Sequence, residues 1–110
     1  MALGKEIAFF IEIWKERADK EDGKRYSQIS PEKEIFFDPW CFAHVCSKGA
    51  YPSMKFKKEN VVLMTPDEHH LYDARTDLAK KMYAFDWVFK LKEKLIREYY
   101  ENNSGHRITN

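Results

Sequence analysis

The sequence predicts a small α+β domain. Three observations carry that reading: an amphipathic helical period near the start, a longer one near the end, and two short apolar, aromatic or β-branched runs between them. From Leu3 to Arg17, the apolar residues Leu3, Ile7, Phe10, Ile11 and Trp14 recur at helical spacing, with Lys5, Glu6, Glu12, Lys15 and Glu16 on the other side. Phe9 and Ile13 widen that apolar face. Ala18 to Ser30 is rich in Asp, Glu, Lys, Gly and Ser and predicts a solvated connection.

The character then changes. Ile35 to Val45 is strongly apolar, and Pro39 divides it into two extended pieces, the second from Trp40 to Val45. A turn at Ser47-Lys48-Gly49, a lysine-rich piece and the run Val61 to Met64 follow, the last predicting a short buried strand. Thr65-Pro66-Asp67-Glu68 is a helix start: a capping hydroxyl, a proline at the first helical position and a glutamate three residues past the cap. That helix is expected to run from Pro66 to about Lys80. Leu78, Met82, Phe85, Val88, Leu91, Leu95 and Tyr99 continue a helical pattern to about Glu101, where Asn102-Asn103-Ser104-Gly105 reads as a stop.

Length and composition bound the function. With 110 residues, 44% of them hydrophobic, the chain can bury one modest core, so residues 1–110 are read as a single domain. The formal charge of +1 neither announces nor excludes a polyanionic partner, so any basic surface must be local. Two cysteines, Cys41 and Cys46, are too few for a disulfide scaffold or a four-thiolate zinc site, and a reducing, cytoplasmic compartment fits. No apolar run is long enough to span a bilayer, and the first residues do not resemble a signal peptide, so no membrane partner is expected.

The residues that suggest chemistry fall in the middle third. His69 and Asp73 are four apart on the predicted helix and share one face, whereas His70 is turned about 100° away. An imidazole and a carboxylate suit a divalent ion: Mg²⁺, Mn²⁺, Ni²⁺ or Zn²⁺. Two ligands do not complete a site, so the remainder falls to Asn60, water or substrate phosphate. A neutral His44 at the end of the first strand can take a proton from an attacking water while a metal neutralises charge on phosphate. Taken alone, a histidine in an aromatic strand is more often a core residue.

Order and spacing add to this. A strand histidine is followed after sixteen positions by an asparagine, then by a short apolar strand, with a helical histidine nine positions beyond that asparagine and an aspartate four further. This pattern, across about Trp40 to Asp73 and with its core within residues 40–80, resembles the ββα-metal, or HNH, nuclease motif. Within that superfamily the stretch His44-Val-Cys-Ser-Lys-Gly-Ala-Tyr-Pro-Ser-Met-Lys-Phe-Lys-Lys-Glu-Asn60 is similar to the loop of phage recombination nucleases of the NinG (Rap) type. The resemblance implies a metal-dependent DNA endonuclease acting on branched or recombining DNA. It implies His44 as general base, Asn60 as a residue that shapes the loop or reaches the metal, and His69 and Asp73 as metal ligands. Cutting branched DNA implies a homodimer, because two strands need two centres.

Two departures stand out. Ala43 occupies the place where many such nucleases carry a metal-binding Asp or His, and the cysteine pairs that often hold a structural zinc are absent. Between Asp38 and Glu59 there is no acid, while Lys48, Lys55, Lys57 and Lys58 fall there, which predicts phosphate contacts that do not read sequence. Tyr51 is expected to pack on the loop. The rival readings are a binding or structural module of the same shape with weak catalysis, and a helical interaction adaptor built on the two terminal helical segments.

Overall fold

The computed structural model describes residues 4–108. Among the described residues, four α-helices and two small antiparallel sheets form an α+β fold. Helix α1, Lys5–Glu16, buries Phe9, Phe10 and Ile13, as its helical period predicts. Leu3 lies outside the described residues. Strands β1, Arg25–Tyr26, and β2, Glu34–Ile35, form a short ribbon, with Arg25 opposite Ile35 and Tyr26 opposite Glu34.

This ribbon corrects the expectation of a solvated connection from Ala18 to Ser30. Ser27 and Ile29 are buried there. The Ser27 hydroxyl donates to Glu68 Oε1 at 2.6 Å and the Ser30 hydroxyl to Oε2 at 2.6 Å, so a segment that reads as polar is buried by a partner about forty residues away.

Strands β3, Phe42–His44, and β4, Val61–Leu63, pair in the order Phe42 with Leu63, Ala43 with Val62 and His44 with Val61. Successive side chains alternate, so this hairpin has a different core on each face. Phe42, Val61 and Leu63 pack toward α1 with Phe9, Phe10, Ile13, Ile35 and Cys41, and the rings of Phe10 and Phe42 stack at 4.3 Å. Ala43 and Val62 face the opposite way, with Met64, Tyr72, Phe85, Val88 and Leu95.

Trp40 is not extended as expected. Asp38 accepts a hydrogen bond from the Trp40 backbone N–H at 2.8 Å, and Pro39–Cys41 forms one turn of 3-10 helix. An Asp-Pro pair caps a turn locally, and this outweighs the β propensity of the aromatic run.

Helix α2, Pro66–Ala74, has the predicted capping box between Thr65 and Glu68. It stops short of the expected Lys80, because Arg75 leaves the helical region with φ −127° and ψ 51°. There the Thr76 hydroxyl donates to the Tyr72 carbonyl at 2.8 Å, taking the place of a backbone donor. A short helix α3, Thr76–Ala79, and a 3-10 turn at Tyr83–Phe85 lead into α4, Asp86–Ile108. The backbone of α4 continues through Asn102-Asn103-Ser104-Gly105, which therefore does not end it. Among the described residues no helix is long and apolar enough to cross a membrane.

Candidate functional site

The α1 face of the hairpin is not closed along its whole length. Beyond the Phe10–Phe42 stack, the apolar cover gives way to a cleft of about 480 Å³ whose walls include Glu6, Trp40, His44, Lys48, His69 and Asp73. Three elements therefore meet: α1 supplies Glu6, β3 supplies His44 and α2 supplies His69 and Asp73.

His44 is half-buried. Its Nε2 lies 3.0 Å from the Lys55 carbonyl oxygen, which can only accept, so Nε2 carries the proton and Nδ1 carries the lone pair. Burial lowers its pKa from the ordinary histidine value, against the opposing pull of that carbonyl. The ring is therefore neutral at pH 7, the form a general base needs.

His69 is fixed by the same logic at the other nitrogen. Its Nδ1 donates to the Trp40 carbonyl at 2.7 Å, and its Nε2 stands 2.9 Å from Asp73 Oδ2. Burial alone would lower its pKa, but the bonds to Asp73 and to the Trp40 carbonyl outweigh it and the net shift is upward. Protonated, Nε2 donates to Asp73. Deprotonated, the pair would offer one nitrogen and one oxygen donor: donors about 2.1 Å from one ion in neighbouring coordination positions are themselves about 3.0 Å apart, close to the spacing here. The residues would suit a divalent ion once the Nε2 lone pair turns from Asp73 toward it. Among the described residues no cluster of three His, Cys, Asp or Glu side chains is placed to hold a metal, so water and phosphate would complete the shell, as magnesium commonly requires.

Asn60 is not among the ligands. It is fully buried; its Oδ1 accepts from the Cys46 N–H at 2.7 Å, and its Nδ2 donates to the carbonyls of Cys46 at 2.9 Å and Met54 at 3.3 Å. Buried and outside the cleft lining, it pins both arms of the loop that carries the Lys55 carbonyl to His44. Of the two roles open in the sequence, loop shaping is the one its contacts serve. Ala43, fully buried in the opposite core, takes no part in the cleft.

The four lysines separate in space. Lys48 is at the cleft, where its ammonium contacts Glu6 Oε2 at 2.8 Å. Lys55 contributes its backbone carbonyl to His44, and its ammonium lies 5.2 Å from the centroid of the Phe56 ring. Lys57 pairs with Glu98 at 3.9 Å, and Lys58 with Glu12 and Glu16. A continuous basic strip is therefore not formed: α1 and α4 supply acids that the intervening sequence lacks. Tyr51, expected to pack on the loop, packs edge-on against Tyr99 of α4 instead. The free thiols Cys41 and Cys46 are buried, and burial raises both pKa values, Cys41 to about 11, which suits neither a nucleophile nor a ligand.

Glu6 and Trp40 line the cleft without having been singled out for it by the sequence. Glu6 reads as part of the solvated face of α1, yet it lies four residues before Phe10 and so borders the apolar face; that i, i+4 relation is the one legible signal. Lys48 lowers the Glu6 pKa, overcoming the effect of partial burial. Trp40 reads as strand core, yet the residue is 66% exposed.

No family model matches the chain, and neither a curated protein nor a solved structure matches it.

Proposed function

We propose that this protein is a metal-dependent endonuclease that hydrolyses phosphodiester bonds in DNA through an HNH-like ββα centre formed by β3, β4 and α2. One observation carries the reading. Two histidines of one cleft are each pinned at one ring nitrogen by a backbone carbonyl, leaving Nδ1 of His44 and Nε2 of His69, beside Asp73, for chemistry.

In this reading His44 Nδ1 accepts the proton of the water whose oxygen bonds to phosphorus as the bond to the leaving oxygen breaks. The Lys55 carbonyl holds the required tautomer, and Asn60 holds the loop that presents it. His69 and Asp73 would hold the divalent ion, whose charge supplies stabilisation of the phosphorane-like transition state when bound. Lys48 would exchange its contact with Glu6 for a phosphate oxygen. The cleft itself carries acids as well as one lysine, so a bound cation is also what makes it attractive to a phosphodiester.

The test compares cleavage of supercoiled plasmid and of a labelled four-way junction in Mg²⁺, Mn²⁺, Ni²⁺ or EDTA. Cutting is expected with metal and not with EDTA, with His44→Ala at least about 100-fold slower while still binding DNA. Asp73→Ala should require more metal. Preference for the junction, with a dimer in solution, would support a role on branched or recombining DNA. DNA bound but uncut under every metal would overturn the nuclease reading in favour of a binding module.

A further inference from the structure

Trp40 is held firmly and left uncovered. Its backbone is fixed by the Asp38 cap, its carbonyl anchors His69, and its indole centroid lies 5.8 Å from the His69 ring at an interplanar angle of 55°. It belongs to neither apolar core. The ring is thus presented at the surface on a fixed turn, directly beside the cleft.

A second hollow of about 300 Å³ lies beside the cleft, lined by Trp40, Pro66, His69, His70 and Asp73. Trp40, His69 and Asp73 line both. A nucleotide whose phosphate lay against His69 and Asp73 would therefore have its own base within reach of this hollow. A base still stacked in a duplex cannot enter it, whereas an unpaired base can lay its face on the indole and its edge toward His70.

We infer that the hollow beside Trp40 is a base-stacking subsite for an unpaired nucleobase, so that the preferred ligand is single-stranded DNA or the unpaired nucleotides of a branch point. This rests on the reading of the adjoining cleft as a phosphodiester site. Stacking on an aromatic ring tolerates any base, so the subsite selects strand state and not sequence. His70, read in the sequence as turned away from the metal face, gains a place as the far wall.

The experiment measures equilibrium binding in Mg²⁺ in the His44→Ala background, where the probe stays uncut. The probes are a short labelled oligothymidylate, a strand of equal length made of abasic sites, and a duplex. Oligothymidylate should bind on the order of tenfold more tightly than the abasic strand, which carries the same charge. Adding Trp40→Ala should erase that preference; Trp40→Phe should retain most of it. Oligothymidylate, and not the abasic strand, should also quench tryptophan emission, an effect lost in Trp40→Phe, which guards against misfolding of the alanine variant. No preference for bases, or a preference that survives Trp40→Ala in folded protein, overturns the inference. Failure of the wild type to cut any DNA would instead sink the nuclease reading and leave this binding measurement intact.

Discussion

The two faces of the β3–β4 hairpin end differently. Toward α4, Ala43 and Val62 meet Phe85, Val88 and Leu95, all of them fully or almost fully buried, and that face is closed. Toward α1, Phe42 is covered by Phe10, but one step of alternation further the strand ends on His44 and the cover stops at the cleft. A strand of three residues thus serves a dry core on one side and borders the cleft on the other. Apolar contacts close over the first face and run out at the second.

Paired truncations test that division most severely. Phe42→Ala should cost about 4 kcal/mol in urea unfolding, because it empties the floor of the cleft as well as the α1 core. Leu95→Ala should cost about 3 kcal/mol on the other face. The comparison sharpens in the folded fraction, where cleavage per folded molecule should fall for Phe42→Ala and hold for Leu95→Ala. Equal effects on cleavage would mean the two faces are one functional unit.

Asn60 joins the faces, since it holds the loop that orients His44. Asn60→Ala leaves the Cys46 N–H and two carbonyls without their partners and should cost about 3 kcal/mol, read by the same unfolding curves. A metal ligand in a preformed site would lose metal affinity without such a loss in EDTA, so the unfolding result alone separates the two roles.

The buried end of α2 should respond next. Glu68 is desolvated, which raises its pKa, but bonds from Ser27, Ser30 and Thr65 outweigh this and the net shift is downward. Its ionised form therefore stabilises the fold above the unfolded carboxyl pKa, and that contribution disappears as pH falls through the folded value. Glu68→Gln should cost about 2 kcal/mol at neutral pH and progressively less in acid, measured as the wild-type minus variant difference along a pH series.

The smallest effect belongs to the exposed end of the same helix. The His69 pKa is raised, so its pairing with Asp73 stabilises fully below the unfolded histidine value of about 6.5 and fades as pH rises through the folded one. The Asp73 side chain is 55% exposed, so Asp73→Asn in EDTA should cost under about 1 kcal/mol at about pH 5.5, and less above neutrality. A large, pH-independent loss would make Asp73 a structural residue and break the contrast with Glu68.

Much of the architecture was legible because it is local. The periodicity of α1, the cap at Thr65 and the β-branched run before it each act within one or two turns of chain. The joint placement of His44, His69 and Asp73 was legible from order and spacing, and all three line one cleft. The lysine strip and the Asn60 ligand were not, because their fate depends on partners far along the chain: Glu12, Glu16 and Glu98 for the lysines, Cys46 and Met54 for the asparagine amide.

The sequence by itself determined the first helix, the buried strand Val61–Leu63 and the capped start of α2, and that one imidazole–carboxylate pair would share a helical face, since those follow from backbone periods and i, i+4 geometry. Only the tertiary structure decided which nitrogen of each histidine a backbone carbonyl holds, that Glu6 and Trp40 border the cleft, and that Ser27 and Ser30 bond to Glu68. The physical reason is that tautomers, burial and charge pairing are set by whichever backbone carbonyl or side chain packs alongside, and no local pattern specifies those neighbours.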